Sequence, residues 1–387
     1  MKIAFDLTSV AKAHRGGIAT YGHALVSACA RVAPQHEYVL AVRPNRWTAR
    51  GHLRELLAAT GARGVRPLLD AFPDASLSGA DVLHSIGVRL PPRGRCARVV
   101  TLHDLNVFEF PELSDADWRE QRQARIRQTV ARADLIIAYS EQGRSALAEL
   151  LAVDPARVAV IPCGVDTQAF ARPPAPALAA VLARHGLLDT TSGAPRPYIF
   201  SVGEFCARKN QVGLLEAFAR AVAAGLPPDW LLVLGGPRGA ELETLRRAVA
   251  AAGLPPERVL LPGWIPDADL PGLLAGAGLY VCAALHEGFG LPVIEAQAAG
   301  APVLCSNRGA LPETLGGVGV LFDPGDPAAF AAALLALAAD APRRAELARA
   351  GPLRAARDCG WDAVARRTLQ AYSEALSLRA LRGAAAR

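Results

Sequence analysis

Short apolar runs alternate with longer amphipathic stretches from one end of the chain to the other. Runs at Ile3–Leu7, Tyr38–Val42, Val82–His84, Val99–Leu102, Leu135–Ala138 and Val158–Ile161 predict strands. Between them, Ile18–Ala30, Leu53–Ala59, Asp117–Ala131 and Ser140–Leu151 predict helices. The interval 171–197 is interrupted by Pro, Gly and Ser and reads as a connector. A second series follows, with strands at Tyr198–Val202, Leu231–Leu234, Val259–Leu261, Leu279–Cys282, Pro302–Cys305 and Val318–Phe322. Its helices are Gln211–Ala224, Ala240–Ala252, Leu291–Ala299 and Pro327–Asp340. Strand–helix alternation twice over predicts an α/β protein of two Rossmann-like parallel-sheet domains. Right-handed crossovers then put the carboxyl ends of the strands along one edge of each sheet, and two such edges are expected to face each other across a cleft. The expected division is 1–170, a linker at 171–197, a second domain at 198–358, and a final segment at 359–387. The helix Trp361–Leu376 in that last segment is expected to return to the first domain, with a frayed tail beyond Ala380.

Composition narrows the classes. With 51% apolar and 20% charged residues the chain is neither disordered nor a disulfide scaffold, and no apolar run reaches the length of a membrane span. The early charges at Lys2 and Asp6 do not suit a secretory leader, so a cytoplasmic location is expected. Seven dispersed cysteines without a C-x-x-C pair suggest neither a zinc site nor a disulfide framework. Most of the net charge of +6 falls in the first half, where Arg43, Arg46, Arg50, Arg54, Arg63 and Arg66 stand against the single acid Glu55. Such a stretch is either a solvated face or an attraction for an anionic substrate or membrane headgroups. Nucleic acid is disfavoured, because the stretch holds one aromatic, Trp47, and no recognisable binding motif.

Candidate chemistry gathers after predicted strands. In Val202-Gly203-Glu204-Phe205-Cys206-Ala207-Arg208-Lys209-Asn210, two cations stand where a helix begins, which favours an anion such as phosphate. Lys209 is one of only three lysines, with Lys2 and Lys12, in a chain that otherwise uses arginine. In His286-Glu287-Gly288-Phe289-Gly290-Leu291-Pro292-Val293-Ile294-Glu295, glycines allow close backbone approach and Pro292 suits the first helical turn. Glu287 before that turn and Glu295 on it would accept hydrogen bonds from a polyhydroxylated, phosphate-bearing ligand; the plainer reading is a loop charge and a helix-dipole partner. Arg15-Gly16-Gly17-Ile18 links the first strand and helix, but it is not a dinucleotide fingerprint. His103, in Thr101-Leu102-His103-Asp104-Leu105, stands at a strand's carboxyl end. Asp267-Ala268-Asp269 reads as a helix cap rather than a metal motif.

These motifs occur in the order found in retaining, nucleotide-sugar-dependent glycosyltransferases of family 4, which the chain resembles over almost its whole length. The series comprises Gly16-Gly17-Ile18, His103-Asp104-Leu105, Ile161–Asp166, Arg208-Lys209-Asn210, Gly263-Trp264-Ile265-Pro266, Glu287 with Glu295, Ser306–Glu313 and Trp361-Asp362. The resemblance implies a GT-B fold. It also implies that Arg208 and Lys209 hold the donor diphosphate, with Gly17 and Gly203 near it. Glu295 would take the ribose hydroxyls, while Glu287 and the backbone of Gly288, Phe289, Gly290 and Leu291 would hold the sugar and phosphate. Ile265 and its neighbours would meet the base, and His103 would lie near sugar and acceptor. Arg208, Lys209, Glu287 and His103 are thus the expected catalytic set. Cys163, Thr20, Gln297 and Ala299 depart from the usual pattern without removing a group the chemistry needs.

The resemblance further implies front-face attack with no metal or other cofactor, the nucleotide-sugar being a substrate. The motifs most resemble bacterial mannosyltransferases of polysaccharide assembly, favouring GDP-mannose over UDP-glucose, UDP-N-acetylglucosamine or a rhamnosyl donor. The acceptor is expected on the first domain as a saccharide or lipid-linked saccharide, with peripheral contact at the inner membrane face through Arg43–Arg66. A non-catalytic binding protein of the same fold is the alternative, and it would be expected to lose Arg208, Lys209 or a glutamate.

Overall fold

A computed structural model describes residues 1–11, 17–111, 115–237 and 239–385. Lys12, Arg15, Gly16 and the last two residues, all touched on above, lie outside the described residues. The chain divides into two compact units, Met1–Gly164 with Trp361–Arg387, and Val165–Gly360.

The sheet of unit 1 has seven parallel strands among the described residues. They are β1 (Lys2–Asp6), β2 (Glu37–Val42), β3 (Val65–Pro67), β4 (Val82–Ser85), β5 (Ala97–Thr101), β6 (Leu135–Ala138) and β7 (Val158–Val160). Their order is β3-β2-β1-β4-β5-β6-β7, so the direction of winding reverses between β1 and β4. Strand β3 escapes the hydrophobic pattern because it is three residues long, lies at the sheet edge and exposes Arg66 and Pro67.

The last helix, Trp361–Ala385, belongs to this unit and packs on β4, β5, β6 and the helix Gly17–Val32. A buried polar chain ties it to the sheet: the Tyr372 hydroxyl lies 2.7 Å from His84 Nδ1, and His84 Nε2 lies 2.8 Å from Thr101 Oγ1. Burial pushes the His84 pKa down to about 3, so the ring is neutral and both nitrogens are engaged. The helix continues past Ala380, where a frayed tail was expected, as far as Ala385. Arg382 donates to the Ala133 carbonyl at 3.0 Å, and Arg379 donates to the Gly94 carbonyl at 2.5 Å.

Unit 2 contains β8 (Tyr198–Val202), β9 (Leu231–Gly235), β10 (Val259–Gly263), β11 (Leu279–Cys282), β12 (Val303–Ser306) and β13 (Val320–Phe322). All pair in parallel, in the order β10-β9-β8-β11-β12-β13. The expected linker is largely part of this unit. The helix Ala175–Arg184 buries Leu178, Val181 and Leu182 in the same core as Tyr198 and Leu273. Its prolines misled the sequence reading, since Pro174 precedes the helix and Pro176 sits in its first turn, where a missing N–H costs little. The chain therefore passes between units at Gly164–Val165 and Gly360–Trp361, not at 171 or 359.

Tyr372→Phe is expected to leave His84 without one buried partner and to cost unit 1 about 1–2 kcal/mol. Urea unfolding checks this, and an unchanged midpoint would mean that the buried chain contributes no stability.

Candidate functional site

Winding in unit 2 reverses between β8 and β11, and in an open parallel sheet the loops leaving two such strands separate and form a crevice. After β8, Ala207–Lys209 form one tight helical turn, and Asn210 adopts φ 55 and ψ 40 before the helix Gln211–Ala223. After β11, an irregular loop leads into the helix Leu291–Ala298. The two loops are joined through their backbones, with the Leu285 amide donating to the Arg208 carbonyl at 2.8 Å.

Three charged side chains converge here. Arg208 Nη1 donates to the His286 carbonyl at 2.9 Å and lies 3.0 Å from Glu287 Oε2. Lys209 Nζ pairs with the other oxygen, Glu287 Oε1. The carboxylate is buried and both cations are largely so. Two positive groups against one negative leave a net charge of +1 in a partly desolvated crevice, which favours an incoming anion. Removing Glu287 would leave two adjacent cations unbalanced, so the carboxylate also holds them in place.

The backbone around Glu287 is pinned by the segment after β12. Ala310 N donates to the Glu287 carbonyl at 3.1 Å, and Thr314 Oγ1 donates to the Phe289 carbonyl. Gly309, at φ 57, passes so close that a Cβ there would lie 2.8 Å from the Glu287 oxygen. Gly290 precedes the Leu291 helix at φ 90, and a Cβ on it would meet Leu311 Cδ2 at 2.6 Å. Ala310 lies within the Ser306–Glu313 series but acts through its amide, a role the motif does not reveal, while Thr314 lies just past that series and was not singled out.

Glu295 is the fifth residue of its helix, so it opens the second turn, not the first. It is half-buried, and its carboxylate has no hydrogen-bond partner among the described residues. Burial, reinforced by Asp267 and opposed by Lys209, raises its pKa from 4.5 to about 7. Gly203 donates its amide to the Gly235 carbonyl at 3.0 Å, at the carboxyl ends of β8 and β9. The Ile265 side chain is buried against Gly235, so what it offers outward is backbone; adjacent Trp264 is 64% exposed. A small crevice is lined by Lys209, Cys282, Glu287, Gly290 and Pro292.

Gly17 and His103 belong to unit 1. Gly17 opens the helix Gly17–Val32. His103 Nε2 lies 2.8 Å from the Ile86 carbonyl and must donate to it, so Nδ1 accepts from the Tyr139 hydroxyl at 2.6 Å. Burial lowers the pKa of this ring. With both nitrogens engaged, the imidazole is built to position neighbouring groups rather than to shuttle protons.

Two charges differ from the sequence reading. Arg43 is not a surface cation: Nε donates to Asp6 Oδ2 at 3.0 Å and Nη1 pairs with Asp70, leaving the side chain 4% exposed. Arg46, Arg50, Arg54, Arg63 and Arg66 are exposed. Asp269 stands at the start of the helix Leu270–Gly276 but does not cap it, because its carboxylate is taken by Arg184 and by His185 at 3.0 Å. Among the described residues, no helix is long and apolar enough to cross a membrane, and no three His, Cys, Asp or Glu side chains gather as metal ligands.

Comparison with known proteins follows the same division. Residues 11–169 match the family described as Glycosyltransferase Family 4, and residues 190–354 match Glycosyl transferases group 1. The O-antigen chain mannosyltransferase B of Escherichia coli is 32% identical over 291 residues, covering 75% of this chain and 74% of that one. The D-inositol 3-phosphate glycosyltransferase of Salinispora tropica is 34% identical over 322 residues, covering 77% and 64%. Among solved structures, the sucrose-phosphate synthase of Thermosynechococcus elongatus has a TM-score of 0.72 at 24% identity, covering 97% of this chain and 99% of that one. Anabaena HepE in complex with UDP and glucose has a TM-score of 0.70 at 18% identity, covering 96% and 99%.

The folded protein keeps the Glu295 proton up to about pH 7, whereas the unfolded chain releases it near 4.5. The folded state therefore binds more protons between those values, and stability falls as pH rises through them. Glu295→Gln is expected to be more stable than the parent at about pH 8, by on the order of 2 kcal/mol, and to converge with it at about pH 4. Thermal unfolding at both pH values checks this; a pH-independent difference would contradict the raised pKa.

Proposed function

The chain belongs to the family 4, group 1 glycosyltransferases, and from that premise we propose that it moves a mannosyl unit from GDP-mannose to a saccharide or lipid-linked saccharide acceptor. It is a retaining-type GT-B glycosyltransferase that uses a nucleotide-sugar donor and a saccharide or lipid acceptor. The observation that carries the reading is the convergence of Arg208 and Lys209 on the Glu287 loop where the winding of unit 2 reverses.

Cleavage of a sugar–diphosphate bond leaves an oxocarbenium-like sugar and an extra negative charge on the departing nucleoside diphosphate. Arg208 and Lys209 are preorganised to take up that charge, each supplying on the order of 3 kcal/mol where water is excluded. The loop from Gly288 to Leu291 presents backbone to the sugar and phosphate, and Glu295 accepts from the ribose hydroxyls. Glu287, already balanced by two cations, positions the donor. The acceptor attacks from the face the diphosphate leaves, and the departing phosphate oxygen takes its proton. His103 orders the neighbourhood of sugar and acceptor through its fixed tautomer.

The mannosyl choice is supported by the likeness to the E. coli O-antigen mannosyltransferase. A second reading, transfer to a phosphorylated cyclitol, is favoured by the likeness to the inositol-phosphate glycosyltransferase. Exposed Arg46, Arg50, Arg54, Arg63 and Arg66 support peripheral contact with an anionic membrane face carrying the acceptor.

A thermal-shift and turnover panel of GDP-mannose, UDP-glucose and UDP-N-acetylglucosamine tests the proposal. GDP-mannose is expected to give the largest shift and the fastest sugar transfer. Arg208→Ala is expected to lower turnover about 10²–10³-fold. A larger response to a uridine donor would replace the mannosyl reading, and no response to any sugar nucleotide would remove the transferase reading.

A further inference from the structure

Two thiols lie at the carboxyl end of the unit 2 sheet, and the donor chemistry above gives neither a role. Cys282 ends β11, Cys305 stands in β12, and the two are register partners on adjacent parallel strands. Their side chains share a face. Tyr280, Cys282, Val303 and Cys305 point into one core, whereas Val281 and Leu304 point into the other. Both cysteines are free, and the Cys305 thiol hydrogen-bonds to Cys282. Cys305 is sealed from solvent, while Cys282 borders the crevice lined by Lys209 and Glu287, which has room for about one water-sized molecule.

We propose that Cys282 and Cys305 form a redox-modification site, closed to a disulfide by hydrogen peroxide entering the crevice and reopened by thiols, and that closure weakens donor binding. The second half of this rests on the transferase reading above; the first half does not. Geometry permits the bond. Adjacent strands run about 4.8 Å apart, inside the roughly 4.4–6.8 Å Cα window of disulfides. Side chains standing parallel on such strands hold their Cβ atoms slightly farther apart than an unstrained disulfide does, which leaves the bond easily reduced.

The two sulfurs divide the chemistry between them. The Cys305 hydrogen bond lowers the Cys282 pKa and Lys209 acts in the same direction, against burial and Glu287. The same hydrogen bond, with burial, raises the pKa of Cys305. Cys282 is therefore the attacking sulfur and Cys305 the resolving one. Cys282 attacks one peroxide oxygen, the O–O bond breaks, and the hydroxide released leaves as water with the Cys282 proton. Cys305 then attacks the sulfenic sulfur and displaces its hydroxyl, which leaves as water with the Cys305 proton. Two thiols are oxidised to one disulfide, and one peroxide is reduced to two waters. The consequence follows from position. Glu287 lies in the loop after Cys282, Gly309 and Ala310 in the segment after Cys305, and the Ala310 amide joins the two at the Glu287 carbonyl. Drawing the strand ends together strains the close pass of Gly309 over Glu287, because a packed interior transmits such a displacement.

Hydrogen peroxide treatment of the full chain, followed by alkylation and peptide mapping, tests the site. The parent is expected to gain a disulfide between the Cys282 and Cys305 peptides, which dithiothreitol reverses. Cys305→Ala is expected to stop at a sulfenic acid on Cys282, trapped by dimedone, while its reduced form binds GDP as the parent does. GDP affinity is expected to fall at least about fivefold in the oxidised parent and to return on reduction. A parent that forms no link between these peptides would overturn the site, and a link that leaves GDP affinity unchanged would overturn the switch. If the reduced parent binds neither GDP nor UDP, the transferase reading falls and the switch with it, whereas the peptide map still decides the oxidation site.

Discussion

The structure of unit 2 around its crevice depends on one electrostatic arrangement: a single buried carboxylate held between a guanidinium and an ammonium. The arrangement requires two loops from strands that wind in opposite directions to meet, so it arises where β8 and β11 diverge. It also requires the Glu287 backbone to be rigid, since a desolvated ion cluster is favourable only in good geometry. The close pass of Gly309, the Ala310 amide and the Thr314 hydroxyl supply that rigidity. Glu295, on the helix that follows this loop, is held at an energetic cost, because its carboxylate is half-buried without a hydrogen-bond partner among the described residues and its pKa is raised to about 7. A fold selected for stability alone would favour an amide there; a ligand with hydroxyl donors gives the carboxylate a use.

The two units organise charge differently. In unit 2 the cations outnumber the acid beside them, which suits a diphosphate. At the carboxyl edge of unit 1, Asp6, Arg43, Asp70 and Arg89 balance one another. His103 on that edge is fixed by Ile86 and Tyr139, so its contribution is geometric.

The alternation of strands and helices and the cations after β8 were legible in the sequence because they rest on local order. A short apolar run, a glycine or cation at its end and an amphipathic helix are all adjacent in the chain. What escaped the reading depends on partners distant in sequence. Arg43 counted as a surface charge because Asp6 and Asp70 lie far from it along the chain. Asp269 looked like a cap because Arg184 and His185, which claim it, lie at the end of another helix far away in the chain. The helix Ala175–Arg184 was hidden by prolines whose positions are compatible with a helix start, and β3 by its brevity. The raised pKa of Glu295 follows from burial and from Asp267, neither of which spacing reveals.

The central claim is that Arg208 and Lys209 form a diphosphate cradle, and the most direct measurement is calorimetric titration of GMP and GDP into the parent, Arg208→Ala and Lys209→Ala. The account predicts that GDP binds the parent at least about tenfold more tightly than GMP, an increment of about 1.4 kcal/mol, and that either substitution removes most of that increment while leaving GMP affinity nearly unchanged. Equal affinity for GMP and GDP in the parent, or an increment that survives both substitutions, would contradict it.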